Sequence, residues 1–393
     1  MSYAEDEVLP VPCWDSSEWD RVLLHRCDIG RIGGPGDVVL YRPGRLLVEA
    51  GAVDDARVRR VLGAGDAERA DEDAGDVAAA LGLTLLVAPD DQIVDLVRGL
   101  RRERAGAASL DHVLVAGPAR WHGDDLPVPV EDPGDIPGAD CEAGAGLTIA
   151  VLDTGIDPKA PFPVQSGPGD AEVPDEDHDG RRDPPAGHGT HIAGLVARTA
   201  PGATVVAHRV LRTVAGQASE LEVAKALMDV GTPDLVNCSF SGTVLGDGQP
   251  LAVARALDRL SPSTVVVACA GNTGTNRPQW PAASPRVIAV GAVGRAKPAD
   301  RWLRTDFSSF GSWVDCCAPG MSVQSAFLHV DAFSGWAAWS GTSMSCPQVV
   351  GAIAAVATRD SISVPHAAFK VARDPARPRV AQLGTLVDPA SLP

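Results

Sequence analysis

A chain of 393 residues, 45% of them apolar, is long enough for two domains with substantial cores. Its longest unbroken apolar run is too short to cross a bilayer, and a net charge of −17 has the wrong sign for a nucleic-acid partner. The same charge mildly favours basic substrates through long-range attraction and says nothing about which bond is cut.

The amino end, Met1-Ser-Tyr-Ala-Glu5-Asp6-Glu7, is acidic where a secretion signal is basic, and no apolar segment follows before Trp14. A cytoplasmic address without a membrane anchor is expected. Residues 1–36 read as an extension. Over 37–116 the pattern predicts a strand at 46–50, a helix at 54–62, a strand at 83–88, a helix at 91–102 and a strand at 111–116. That makes a small α/β sandwich domain. Residues 117–145 are crowded with Pro, Gly, Asp and Glu and have no periodicity, so they read as an exposed linker.

From 146 to 393 a larger α/β unit is expected. Residues 147–152 form a continuous apolar run, a buried parallel strand that delivers Asp153 to its carboxyl end, where open α/β sheets place ligands. The loop 175–183 alternates acidic residues around Gly180 like the start of a calcium loop. Ala186 stands where a closing bidentate Glu belongs, so a solvated acidic loop is the simpler reading and a structural calcium the alternative. In Gly187-His188-Gly189-Thr190-His191, followed by Ala193, Gly194 and Ala197, small residues let a helix pack closely while its first turn presents His188. His191 is expected to be structural.

Strands at 204–210 and 234–239, with helices at 218–230 and 251–260, continue a doubly wound, mostly parallel pattern. Another buried strand begins at 264 and ends at Ala270-Gly271-Asn272; an isolated Gly-Asn pair is by itself a turn. Ser340-Gly-Thr-Ser343-Met precedes a small, apolar run at 349–357, which sets Ser343 at the amino end of a buried helix. Free N–H groups and the helix dipole favour developing negative charge there.

Asp153, His188 and Ser343 together are the parts of an activated serine nucleophile: a carboxylate holds the imidazole tautomer, and the imidazole takes the hydroxyl proton. Their order, Asp, His, Ser, differs from that of chymotrypsin-type enzymes and of α/β-hydrolases. With residues 280–293, Phe307-Ser-Ser-Phe-Gly311 and Ala318-Pro-Gly320, these strings resemble the subtilisin-like serine proteases, the subtilase family, across roughly 146–393.

The resemblance implies a serine endopeptidase working through an acyl-enzyme on Ser343. Asp153 would orient the base, His188 would be base and then acid, and Asn272 would donate to the oxyanion beside the Ser343 N–H. Ser239, Phe240, Ser241 and Gly242 would face Ala268, Cys269 and Gly271 across the specificity pocket, with the backbone near Gly216 pairing with extended substrate. No cofactor is required, and structural calcium is compatible with the family. The domain at 37–116 would be a prodomain that assists folding and blocks the cleft; the alternative is a regulator that stays attached. Two other function classes share the fold, a peptide ligase or macrocyclase and an inactive binding scaffold.

Some positions depart from the family habit. Ser241 replaces a glycine, Cys269 an alanine, and Gln279 falls near the pocket floor, so medium-sized uncharged side chains are expected before the cut bond. Cys346 stands where the family often has a threonine that assists the oxyanion hole, which implies a modestly slower enzyme. The eight cysteines include no Cys-x-x-Cys pair, and Cys238, Cys269, Cys316 and Cys317 fall on buried segments. They read as reduced core thiols.

Overall fold

The computed structural model describes residues 8–9, 28–34, 37–65, 67–70, 73–116, 126–134, 141–212, 215–246, 248–296 and 301–391. Most of the expected extension and linker lies outside these residues. The small domain contains β1 (Val39–Glu49), α1 (Ala56–Ala64), α2 (Asp73–Ala80), β2 (Leu83–Val87), α3 (Asp90–Glu103) and β3 (Ala108–Val115). β1 lies between β2 and β3, antiparallel to both. It is longer than the expected strand because Pro43-Gly44 falls in a register irregularity between Tyr41 and Leu46 rather than a turn. Alternation then does the sorting. Leu46, Val48 and Leu86 pack on Val58, Leu62, Ile93 and Leu100 of α1 and α3, while Leu47, Leu83 and Leu85 face the other way.

In the large domain the chain forms β4 (Thr148–Asp153), α4 (His188–Thr199), β5 (Thr204–Arg209), β6 (Gln217–Ser219), α5 (Glu220–Asp229), β7 (Leu235–Cys238), α6 (Leu251–Leu257) and β8 (Val265–Cys269). β9 (Val287–Ala296), β10 (Cys316–Pro319), β11 (Val323–Ala326), β12 (Trp336–Trp339), α7 (Thr342–Asp360) and β13 (Gly384–Leu386) follow. Seven of the sheet's strands run β13-β10-β9-β8-β7-β4-β5, all parallel, with further strands added at its margins. Chain order reverses at β4, which has β5 on one side and β7 on the other, so the crevice at its carboxyl end is the expected place for a ligand.

Helices cover both faces. Ile149 and Val151 of β4 join Ile192 and Val196 of α4 and Val350 and Ile353 of α7; Ala150 and Leu152 join Leu221 and Leu227 of α5 and Leu251 of α6. The second of these cores also contains Leu47, Leu83 and Leu85, so the sandwich domain and the large domain share one apolar interior. The helix expected at 218–230 starts only at Glu220, because residues 217–219 are drawn into β6 by pairing with β3. Ser219 then caps α5 in a capping box with Glu222. Among the described residues no helix is long and apolar enough to cross a membrane.

Candidate active site

Asp153 is the last residue of β4 and His188 the first of α4. A side chain at Gly189 would put its Cβ 2.2 Å from the Gly155 carbonyl oxygen and 3.2 Å from the Asp153 Cβ, so glycine there lets α4 begin against the Asp153 loop. His188 Nδ1 thereby lies 2.7 Å from Asp153 Oδ1, which also accepts the Thr154 N–H at 2.8 Å. Both side chains are buried. An ionised carboxylate can only accept, so Nδ1 carries the proton and Nε2 is left as the basic atom.

The edge of Trp339 packs against His188 with ring centroids 5.2 Å apart, and also meets His191. His191 donates from Nε2 to the Val323 carbonyl at 3.1 Å. Burial, and then the nearness of His188, push its pKa down to about 3, so it is a neutral brace, as its sequence context indicated.

Ser343 is the second residue of α7. Its hydroxyl donates to the Ser239 carbonyl at 3.1 Å, and the Ser239 hydroxyl donates to the Ser343 carbonyl at 3.0 Å. His188 Nε2 has no hydrogen-bond partner among the described residues. The Ser343 hydroxyl therefore rests on the Ser239 carbonyl, and passing its proton to His188 would require it to turn toward that ring.

Asn272 is aimed by a residue that sequence reading missed. Thr342 donates to Asn272 Oδ1 from its N–H at 2.9 Å and from its hydroxyl at 2.7 Å, while that hydroxyl accepts the Gly271 N–H at 3.1 Å. A backbone N–H only donates, so the atom facing Thr342 must be Oδ1, and Nδ2 lies on the Gly341 side. The hint was Thr342's place next to the nucleophile. Cys346, the cysteine at a position where a threonine is usual, lies wholly buried near Cys269 and Cys238, with its thiol pushed well up by burial.

Residues 144–371, more than half of the chain, match the sequence profile described as Subtilase family, Peptidase S8. The chain belongs to the subtilase family. It is 33% identical to thermitase of Thermoactinomyces vulgaris over 233 residues, which cover 56% of this chain and 78% of thermitase. It is 32% identical to subtilisin Savinase of Lederbergia lenta over 224 residues, 54% of this chain and 77% of that one. The fold is similar to that of fervidolysin from Fervidobacterium pennivorans, with a TM-score of 0.58 at 19% identity over 90% of this chain and 62% of that one. This subtilase is a serine protease.

Along its cleft, β3 of the small domain pairs antiparallel with β6. Val115 also donates to and accepts from the Ser241 backbone at 2.9 and 3.0 Å, and the Ala116 N–H donates to the Gly216 carbonyl at 2.9 Å. Gly216 and Ser241, two of the expected substrate-binding positions, thus grip a strand of the subtilase's own chain. Gly242 lies close behind, where a Cβ would stand 2.9 Å from the Val113 carbonyl oxygen. Phe240 and Ala268 turn their side chains into the core and lend backbone to the walls.

Beside this strand Glu220 accepts hydrogen bonds from Ser109 at 3.1 Å, from the Ala252 N–H at 3.1 Å and from His112 Nδ1 at 2.8 Å, while His112 Nε2 accepts the Leu245 N–H at 3.1 Å. Asp111 has no exposure, and neither carboxylate oxygen accepts a hydrogen bond within the described residues; Arg45 stands 3.8 Å away. Burial, and then Glu220, raise its pKa to about 7. A carboxyl raised above its unfolded value costs nothing at acid pH, and its penalty grows as pH climbs from the ordinary carboxylate range to about 7. Asp111→Asn is therefore expected to raise the melting temperature at pH 8 by several degrees, with the gain vanishing below pH ~4. Thermal scans of both proteins across that range provide the check.

The acidic loop closes on itself sooner than expected. Carboxylate oxygens of Asp175, Asp177 and Asp183 lie within 4.8 Å of one another, while the Asp179 and Gly180 N–H groups donate back to Asp175 and Asp177. Burial, then Asp177, Asp175 and Glu176, raise the Asp183 pKa to about 6. Three converging oxygens under mutual repulsion fit a hard cation. The six described cysteines are free thiols, five of them buried, and burial lifts the Cys269 thiol beside Ser343 to about 11. These core thiols are protonated and inert.

Proposed function

We propose that this subtilase is a cytoplasmic endopeptidase whose domain at 37–116 lies in its cleft as a built-in inhibitor, with the catalytic domain spanning 146–393. The observation that carries the reading is the double hydrogen bonding of Val115 with Ser241. Ser239, two residues before Ser241 on the same segment, is the residue whose carbonyl holds the Ser343 hydroxyl. A chain following the path of β3 is thus led to the nucleophile as a substrate would be. The free thiols support a reducing compartment.

In turnover His188 Nε2 takes the Ser343 proton as Oγ bonds to the scissile carbonyl carbon. Asp153 stabilises the imidazolium, and the Ser343 N–H and Asn272 Nδ2 receive the oxyanion. Collapse breaks the C–N bond, His188 gives its proton to the leaving amine, and water, deprotonated by His188, releases the acyl group from Ser343. Asp175, Asp177 and Asp183 would hold a structural calcium that relieves their repulsion. Calcium chloride is then expected to raise the melting temperature of the wild type by a few degrees and leave Asp183→Asn unmoved.

The test of the catalytic assignment is intact mass after treatment with a fluorophosphonate. Labelling of wild type and not of Ser343→Ala is expected; labelling of both, or of neither even when Val115→Pro frees the cleft, refutes the assignment. Product mass separates hydrolysis from ligation.

A further inference from the structure

The slot beside Ser343 runs between residues 239–242 and residues 268–271. The nucleophile touches both walls, donating to the Ser239 carbonyl at 3.1 Å and lying 3.9 Å from Cys269 Sγ. At Gly271 the slot is closed. A single added carbon there would stand 2.8 Å from Ser241 Oγ and 2.9 Å from Gln279 Cγ. The Ser241 hydroxyl and the Gln279 stem therefore already fill the gap between the walls.

Neither plug is loose. Gln279 is 2% exposed, and its amide meets the Thr243 hydroxyl at 3.3 Å from Oε1 and 3.2 Å from Nε2. Its Nε2 also donates to the Arg277 carbonyl at 3.4 Å. The next residue, Trp280, exchanges both backbone hydrogen bonds with Gly242 at 2.8 and 2.9 Å, which staples the plug to the wall it closes. Expelling Gln279 would break these bonds and bury polar groups without partners.

We propose that Ser241 and Gln279 determine specificity by closing this slot, so that the enzyme cuts peptides after glycine or alanine and rejects longer side chains. This inference rests on the protease reading above and is stricter than the medium-sized residues the sequence suggested.

The test uses the full chain carrying Val115→Pro, which lacks the N–H that holds β3 to Ser241, and reads intact mass over time. Three probes are compared: an alkyl fluorophosphonate without a residue for the slot, and two peptidyl diphenyl phosphonates that differ only in an alanine or a phenylalanine analogue before the phosphorus. The alanine probe should react at least about tenfold faster than the phenylalanine probe. Adding Ser241→Gly and Gln279→Gly should speed the phenylalanine probe by at least about tenfold. The proposal is overturned if the phenylalanine probe reacts as fast in the intact slot. It also falls if the fluorophosphonate labels while neither peptidyl probe does, or if the opened slot labels with fluorophosphonate yet still refuses phenylalanine. Failure of the fluorophosphonate itself would instead sink the protease reading, and this proposal with it.

Discussion

Asp153→Asn is expected to lower kcat by about 10⁴-fold while KM changes little, because Asp153 touches the base and not the substrate. Oδ1 of Asp153 serves two donors at once, the Thr154 N–H at 2.8 Å and His188 Nδ1 at 2.7 Å. An asparagine that keeps its oxygen there preserves the tautomer but removes the charge that stabilises the imidazolium. It also leaves its amide nitrogen where buried Oδ2 has no partner. An asparagine turned the other way sets NH₂ against the Thr154 N–H and forces the proton onto Nε2, where it cannot accept from Ser343. The first arrangement weakens the base and the second abolishes it. Steady-state kinetics on a peptide ending in alanine, with fluorophosphonate inactivation in parallel, would show it; a loss below about tenfold would mean that His188 does not depend on Asp153.

Val115→Pro is expected to act in the opposite direction, raising the rate of fluorophosphonate labelling of the full chain by about 10–100-fold. Proline removes the donor to Ser241 and disturbs the returning bond, together worth about 1–3 kcal/mol. The N–H lost is not one that the small domain's own sheet uses, since β1 pairs with β3 only as far as His112. The domain should stay folded while its end leaves the cleft. An unchanged labelling rate, with an unchanged melting temperature, would show that β3 does not limit access to Ser343.

The proposed catalytic set was legible because each member sits inside a contiguous string with one structural meaning: an apolar run ending in Asp153, a small-residue helix opening on His188, and another opening on Ser343. What escaped depends on partners distant in sequence. β6 reads locally as the start of a helix and becomes a strand only against β3, about a hundred residues earlier. α2 carries too few large apolar residues for its period to show. Calcium-loop spacing named Asp175, Asp177 and Asp183 together, but that their carboxylates converge is a matter of how the loop folds back on itself. The family resemblance put Gln279 near the expected pocket floor, but its reach to Gly271 is a matter of side-chain direction.

The apolar interior shared by Leu47, Leu83 and Leu85 with α5 and α6 bears on how the molecule melts. Two units joined by a thin polar contact unfold in two steps, whereas units that complete each other's interior lose it together. A scanning calorimeter should record a single endotherm for the whole chain. Clipping the small domain away would bare a greasy patch over α5 and α6, so the liberated enzyme would be the stickier and shorter-lived form.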